Sequence, residues 1–108
     1  MTCKNYIKIG ATLSIDIERV EGEAPVSLSG SSIESYLRHP KYGSYELNLE
    51  PIDLSNGQIR LYMDADDTAI MAEGDYIWDI KFTDPDGKTE IFPKDNQVVL
   101  TFIKGATP

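Results

Sequence analysis

The chain has 108 residues, 41% of them hydrophobic, which is enough for one domain with its own core and too few for two. Ten Lys/Arg against eighteen Asp/Glu leave a net charge of −8, and no basic cluster offsets it, so nucleic acid and anionic membrane surfaces are excluded as partners. The lone cysteine, Cys3, rules out an internal disulfide; no apolar run approaches the roughly 18 residues of a membrane span, and the start, Met1 to Lys8, lacks the apolar region of a signal peptide.

In chain order, Leu13, Ile15 and Ile17 alternate with Ser14, Asp16 and Glu18, which predicts a first long strand over about residues 7 to 20. Glu21-Gly22-Glu23-Ala24-Pro25 reads as a turn and Val26-Ser27-Leu28-Ser29-Gly30 as a linking stretch. Ile33, Ser35 and Leu37 against Glu34, Tyr36 and Arg38 predict a second strand, and His39-Pro40-Lys41-Tyr42-Gly43 a loop. Tyr45, Leu47 and Leu49 predict a third strand. Ser55-Asn56-Gly57 reads as a turn because Asn-Gly accepts positive φ, and Ile59, Leu61 and Met63 predict a fourth strand. The period then breaks. Asp64 can cap, Asp67 follows three residues on, and Ala69 to Ala72 favour helix, so a short helix near 65–72 is expected, closed by Gly74.

The stretch Gly74 to Gly87 is the most informative. Tyr76, Trp78, Ile80 and Phe82 share one face; Asp79, Lys81 and Thr83 share the other, with Ile77 the one apolar exception. A period of two with bulky aromatics on one side describes a half-buried strand in a packed sheet. Asp84-Pro85-Asp86-Gly87 supplies a reversing turn, from which Lys88 to Phe92 pairs back. Val98, Leu100 and Phe102 carry the last strand, and Gly105 to Pro108 form a tail. Seven or so short strands with turns between them predict an all-β, immunoglobulin-like antiparallel β-sandwich spanning residues 1–108 as a single domain. Gly74-Asp75-Tyr76-Ile77-Trp78 has the shape of a tyrosine corner, a Tyr two residues before the inter-sheet Cys of such sandwiches. Trp78 stands where the Cys would be, filling the space between sheets.

Catalytic chemistry finds little purchase. His39, the one histidine, precedes Pro40 in a loop and reads as a surface residue; Ser29 to Ser32 lie near it, but no Gly-x-Ser-x-Gly elbow exists. Cys3 has only Lys4 as a cationic neighbour. Asp64, Asp66 and Asp67 form the densest acidic cluster, which reads either as a calcium site or as acids at the start of a helix. The full calcium-loop pattern is absent, so no cofactor is expected, with calcium the one ion in view. A carboxylate pair for glycoside hydrolysis would need a cleft that so small a sandwich does not supply. Tyr36, Tyr42 and Tyr62 are candidate binding residues, for sugar rings or for a partner protein, with Tyr42 foremost.

The order of features resembles a family of small tailed-phage and prophage virion proteins with immunoglobulin-like domains, similar to the N-terminal domain of the phage baseplate upper protein. The matching pieces are Val26-Ser27-Leu28-Ser29-Gly30, Gly57-Gln58-Ile59, Asp67-Thr68-Ala69-Ile70-Met71, Gly74 to Ile80 and Thr83 to Gly87, over about residues 9 to 103. The Arg38–Tyr45 stretch departs from the pattern, as does the expectation of a single domain with none downstream. The resemblance implies a virion structural protein of tail, baseplate or head decoration, made in the host cytoplasm. It would contact other virion proteins as a homo-oligomer, with no catalytic residues to carry over. The alternative is a carbohydrate- or cell-surface-binding β-sandwich module, calcium-assisted or not; a small hydrolase is the third reading.

Overall fold

The computed structural model describes residues 2–94 and 97–104; the expected tail from Gly105 onward lies outside them. The first strand expected over 7 to 20 is two strands. The chain reverses at Gly10, whose φ of 91° lies in the left-handed region, and Ala11 N–H closes the turn on the Lys8 carbonyl at 3.1 Å. That turn sends β1 (Thr2–Lys8) into one sheet and β2 (Leu13–Glu18) into the other. A small hairpin, β3 (Val20–Glu21) with β4 (Ala24–Pro25), occupies the expected Gly22 turn, and the linking stretch then drops Leu28 into the core at 1% exposure.

Next, β5 (Ser32–His39) and β6 (Gly43–Glu46) form a hairpin over the expected loop. The expected third strand also splits. Leu47 is buried and its N–H donates to the Ser35 carbonyl at 2.9 Å; beyond it the chain crosses to the second sheet as β7 (Asn48–Asp53). Tyr45, Leu47 and Leu49 keep their alternation across this crossing, so the pattern cannot register the change of partner. A 3-10 turn, Leu54–Asn56, is closed by Gly57 at φ 72°, and β8 (Gln58–Met63) follows as expected.

The helix is shorter than expected. α1 (Ala65–Thr68) is a single turn, and Gly74 opens a strand instead of closing a helix. Thr68, fully buried, donates from Oγ1 to the Ala11 carbonyl at 2.7 Å and accepts from Gly10 N–H at 3.1 Å, tying the turn to the β1–β2 corner. Met71 is buried and Ile70 is exposed, so the segment after Thr68 is committed to the corner leading into β9 (Gly74–Thr83). β10 (Thr89–Phe92) and β11 (Gln97–Ile103) complete the chain.

The larger sheet runs β1-β11-β9-β5-β6, with β10 pairing the far half of β9; the smaller runs β2-β8-β7. β1 joins β11 in parallel and every other pairing is antiparallel. β9 carries the centre of the core. Tyr76, Trp78, Ile80 and Phe82 are 0, 8, 1 and 2% exposed, as the alternation requires, while Ile77 faces out. Leu37 on β5 and Val98 on β11 flank Trp78 in register, and Ile59 and Leu61 come from β8 of the opposite sheet. Burying each such side chain is worth about 2 kcal/mol.

Candidate protein-docking surface

The three candidate tyrosines are not brought together. Tyr36 lies on the outer face of the larger sheet, in register with Asp79 and Glu46, with the Arg38 guanidinium 5.5 Å from its ring centre. Glu46, and then Glu34, raise its phenol pKa by repelling the phenolate. Tyr62 lies on the outer face of the smaller sheet, between Ser14 and Asn48. Tyr42 sits at the tip of the β5–β6 hairpin, 42% exposed, its ring 4.6 Å from that of His39. Two opposite outer faces and one loop tip cannot make a single stacking platform.

His39 is half-buried rather than a free surface residue. Its Nδ1 accepts from Lys41 N–H at 2.9 Å and Tyr42 N–H at 3.3 Å, and its ring packs 5.1 Å from Tyr76. It therefore shapes the hairpin tip and seats it on the corner. Gly74 is required beneath it, since φ is 143° and a Cβ would stand 3.1 Å from His39 Nε2.

Of the acidic cluster, Asp64 stands at the N-cap of α1 without a side-chain capping bond, and Asp66 and Asp67 occupy the first turn. Among the described residues, no three His, Cys, Asp or Glu side chains, these aspartates included, converge as metal ligands. Asp84 to Gly87 form the expected turn: Asp84 N–H bonds the Lys88 carbonyl and Gly87 N–H the Asp84 carbonyl, each at 2.8 Å.

The sheet edges are unequal. An unpaired edge invites another strand unless something blunts it, such as Pro, a bulge, Lys or short length. β7 contains Pro51 and a bulge between Pro51 and Asp53; β6 is four residues long; β1 carries Lys8. β2 has none of these. Its six residues pair without a break to β8, from Leu13↔Met63 to Glu18↔Gln58, and its other side bonds to no strand among the described residues. Only the burial of its alternate side chains faces inward; the backbone edge is open.

Beside that edge the two sheets part into an apolar trough. One portion, about 440 Å³, is lined by Ile7, Leu13, Ile15, Trp78, Val98 and Leu100, with Asn5, Tyr6 and Ser14 at its margin. A second, about 260 Å³, continues past Ile17, Trp78, Ile80, Phe82 and Phe92. Trp78 lines both. Its Nε1–H is buried and has no acceptor among the described residues, a deficit worth about 1–3 kcal/mol.

Arg19 closes the far end. Its side chain is 11% exposed, donates to Glu90 at 2.6 Å and Asp84 at 3.4 Å, and lies 4.9 Å from the centre of Phe82 and 5.8 Å from that of Phe92. It fastens the strand leaving β2 to the β9–β10 hairpin. Sequence reasoning passed over Arg19, because its partners are 65 and 71 residues away and no local pattern links them. β11, the last strand, lies inside its sheet between β1 and β9, and β1 and β2 each stand at a sheet edge among the described residues.

The class follows from the strand order and the corner. With β2, β5, β6, β7, β8, β9 and β11 as strands B, C, C′, D, E, F and G, the chain is an immunoglobulin-like β-sandwich. Tyr76 Oη bonds the Ala72 carbonyl at the entry to strand F, as the tyrosine corner requires. No protein-family model and no curated protein matches the chain. Among solved structures, AggA, the major subunit of aggregative adherence fimbriae type I from Escherichia coli, is similar at 12% identity and a TM-score of 0.45, covering 94% of this chain and 90% of that one. Murine CRIg is similar at 12% identity and a TM-score of 0.40, covering 96% and 92% respectively. These likenesses concern the fold alone.

Proposed function

We propose that this chain is a non-enzymatic structural component of a phage or prophage virion, of the tail, baseplate or head decoration, and that it acts by protein–protein contact along β2. The observation that carries the contact is the unblunted β2 edge beside an apolar trough. An extended segment of a neighbouring protein would pair with the free backbone of β2 and place alternate apolar side chains against Ile15, Ile17 and Trp78. The backbone ladder supplies affinity and the trough supplies register. The virion setting is supported by the order of motifs from about residue 9 to 103. The sugar-binding alternative loses support from the dispersal of Tyr36, Tyr42 and Tyr62 over three surfaces.

The test is an immunoblot for the chain across a density gradient of purified particles from its source. Co-sedimentation with intact virions, reduced by Ile17→Lys in a variant that still melts cooperatively, is expected. Protein found free at the top of the gradient and absent from particles would sink this reading.

A further inference from the structure

The β5–β6 hairpin turns through a three-residue loop, Pro40-Lys41-Tyr42, between the paired residues His39 and Gly43. Pro40 has no N–H, so the loop owns two backbone donors. Both are spent on one atom: Nδ1 of His39 accepts from Lys41 N–H at 2.9 Å and from Tyr42 N–H at 3.3 Å. A ring nitrogen that accepts carries no proton, so His39 is neutral in this conformation, with its hydrogen on Nε2. Nδ1 is then the one place a second proton can go. The ring is packed where it stands, 4.6 Å from that of Tyr42 and 5.1 Å from that of Tyr76 on β9, with Gly74 against Nε2.

From this geometry we infer that His39 is a pH-sensitive latch: protonation at Nδ1 breaks both bonds and releases the hairpin tip that carries Tyr42. An Nδ1–H would point at two N–H groups, turning two attractions into repulsions. The groups around the ring do not offset this. Facing it are the phenols of Tyr42, on its own hairpin, and Tyr76, on β9, and phenols carry no charge between about pH 5 and 8. Tyr45 on β6 meets Tyr76 edge-on, 6.0 Å away. Lys41, whose ammonium stands 5.5 Å from the centre of the Tyr42 ring, adds a like charge. Glu73 and Asp75, which flank Gly74, are exposed, and Asp75 accepts from Thr101 at 2.7 Å, so water screens what they offer an imidazolium. Ring contact survives protonation, because a cation is attracted to an aromatic face. The imidazolium therefore stays seated on Tyr76 while the loop lets go. Tyr42, exposed at the tip, moves with the loop, and what it touches becomes dependent on pH. This latch is independent of the contact along β2.

The experiment is an NMR titration of the full chain from about pH 8 to pH 5, the range in which imidazoles take up their proton. The His39 ring nitrogens report protonation. Amide hydrogen exchange, corrected for its intrinsic pH dependence, reports the loop. The hydrogen is expected on Nε2 at the start. Protection at Lys41 and Tyr42 N–H should then fall at least about tenfold as Nδ1 is protonated, while amides within β9 keep theirs. The wild-type titration decides the matter by itself, and His39→Asn adds a control. Asn places an oxygen where Nδ1 stands and removes the titration, so loop protection in that variant should hold across the range. A proton on Nδ1 at pH 8, an imidazole still neutral at pH 5, loop protection indifferent to protonation, or the same fall in His39→Asn would overturn the inference.

Discussion

The phenol of Tyr76 donates a hydrogen bond to the carbonyl oxygen of Ala72, 3.0 Å away and four residues earlier in the chain. The ring itself is fully buried, edge-on to Phe102 at 5.0 Å and to Tyr45 at 6.0 Å, and it supports His39 at 5.1 Å. One side chain thus pins the segment after α1, begins the core of β9 and seats the β5–β6 hairpin. Burial raises the phenol pKa, so the hydroxyl stays a donor throughout the neutral range.

Tyr76→Phe keeps the ring and deletes the donor. The Ala72 carbonyl loses its partner at the corner, and stability is expected to fall by about 1–2 kcal/mol. Urea unfolding monitored by Trp78 fluorescence measures it, and an unchanged midpoint would mean that water replaces the phenol without cost.

Arg19 offers a sharper case, because its charge is mostly removed from solvent and both its partners are carboxylates. Arg19→Met retains much of the packing on Phe82 and Phe92 while leaving Asp84 and Glu90 without their guanidinium. A loss of about 2–3 kcal/mol at pH 7 is expected. The loss should also depend on pH. Burial, the largest influence on Glu90, pushes its pKa up, but Lys94, Arg19 and Lys88 outweigh it and the folded value lies below the ordinary 4.5. A carboxyl lowered in the folded state stabilises fully above its unfolded pKa and loses that contribution as pH falls through the folded one. The gap between wild type and Arg19→Met should therefore be constant above about pH 5 and shrink below about pH 4. Asp16, lowered by its bond from Arg60, and Asp53, lowered by Asn56 and then Ser55, work in the same direction, so the wild type itself weakens in acid. Equilibrium unfolding at a series of pH values checks both statements; a gap that widens in acid would contradict the pairing.

Gly57 is the least replaceable glycine. Its φ of 72° disfavours any Cβ, and a Cβ built there would lie 2.5 Å from the Val26 carbonyl oxygen and 2.8 Å from that of Arg19. Both contacts are backbone, and Arg19 N–H in turn donates to the Gly57 carbonyl at 2.9 Å. Gly57→Ala combines a left-handed penalty of about 1–2 kcal/mol with a clash that no side chain can relieve. A loss above about 2 kcal/mol is expected, larger than for Gly22→Ala, where φ is also positive but nothing lies within 4 Å. Comparing the two melting temperatures isolates the close approach from the backbone strain.

Much of this sandwich is legible in local pattern. The period of two along β9 names its buried face, residue by residue, because a pleated strand turns successive side chains to opposite sides. The turns at Gly22, Gly43, Gly57 and Gly87 fall where the glycines stand, since those positions need positive φ. The tyrosine corner is readable too, because its bond spans four residues. What alternation does not encode is the neighbour on each side of a strand. The breaks at Gly10 and Leu47 move the chain between sheets without interrupting the alternation in the sequence, even though Leu49, beyond the second break, is left exposed. Likewise, neither the open edge of β2, nor the Arg19 clamp, nor the scattering of Tyr36, Tyr42 and Tyr62 over three surfaces can be read locally. Each depends on hydrogen bonds and contacts between segments tens of residues apart, and these exist only once the two sheets have closed on one another.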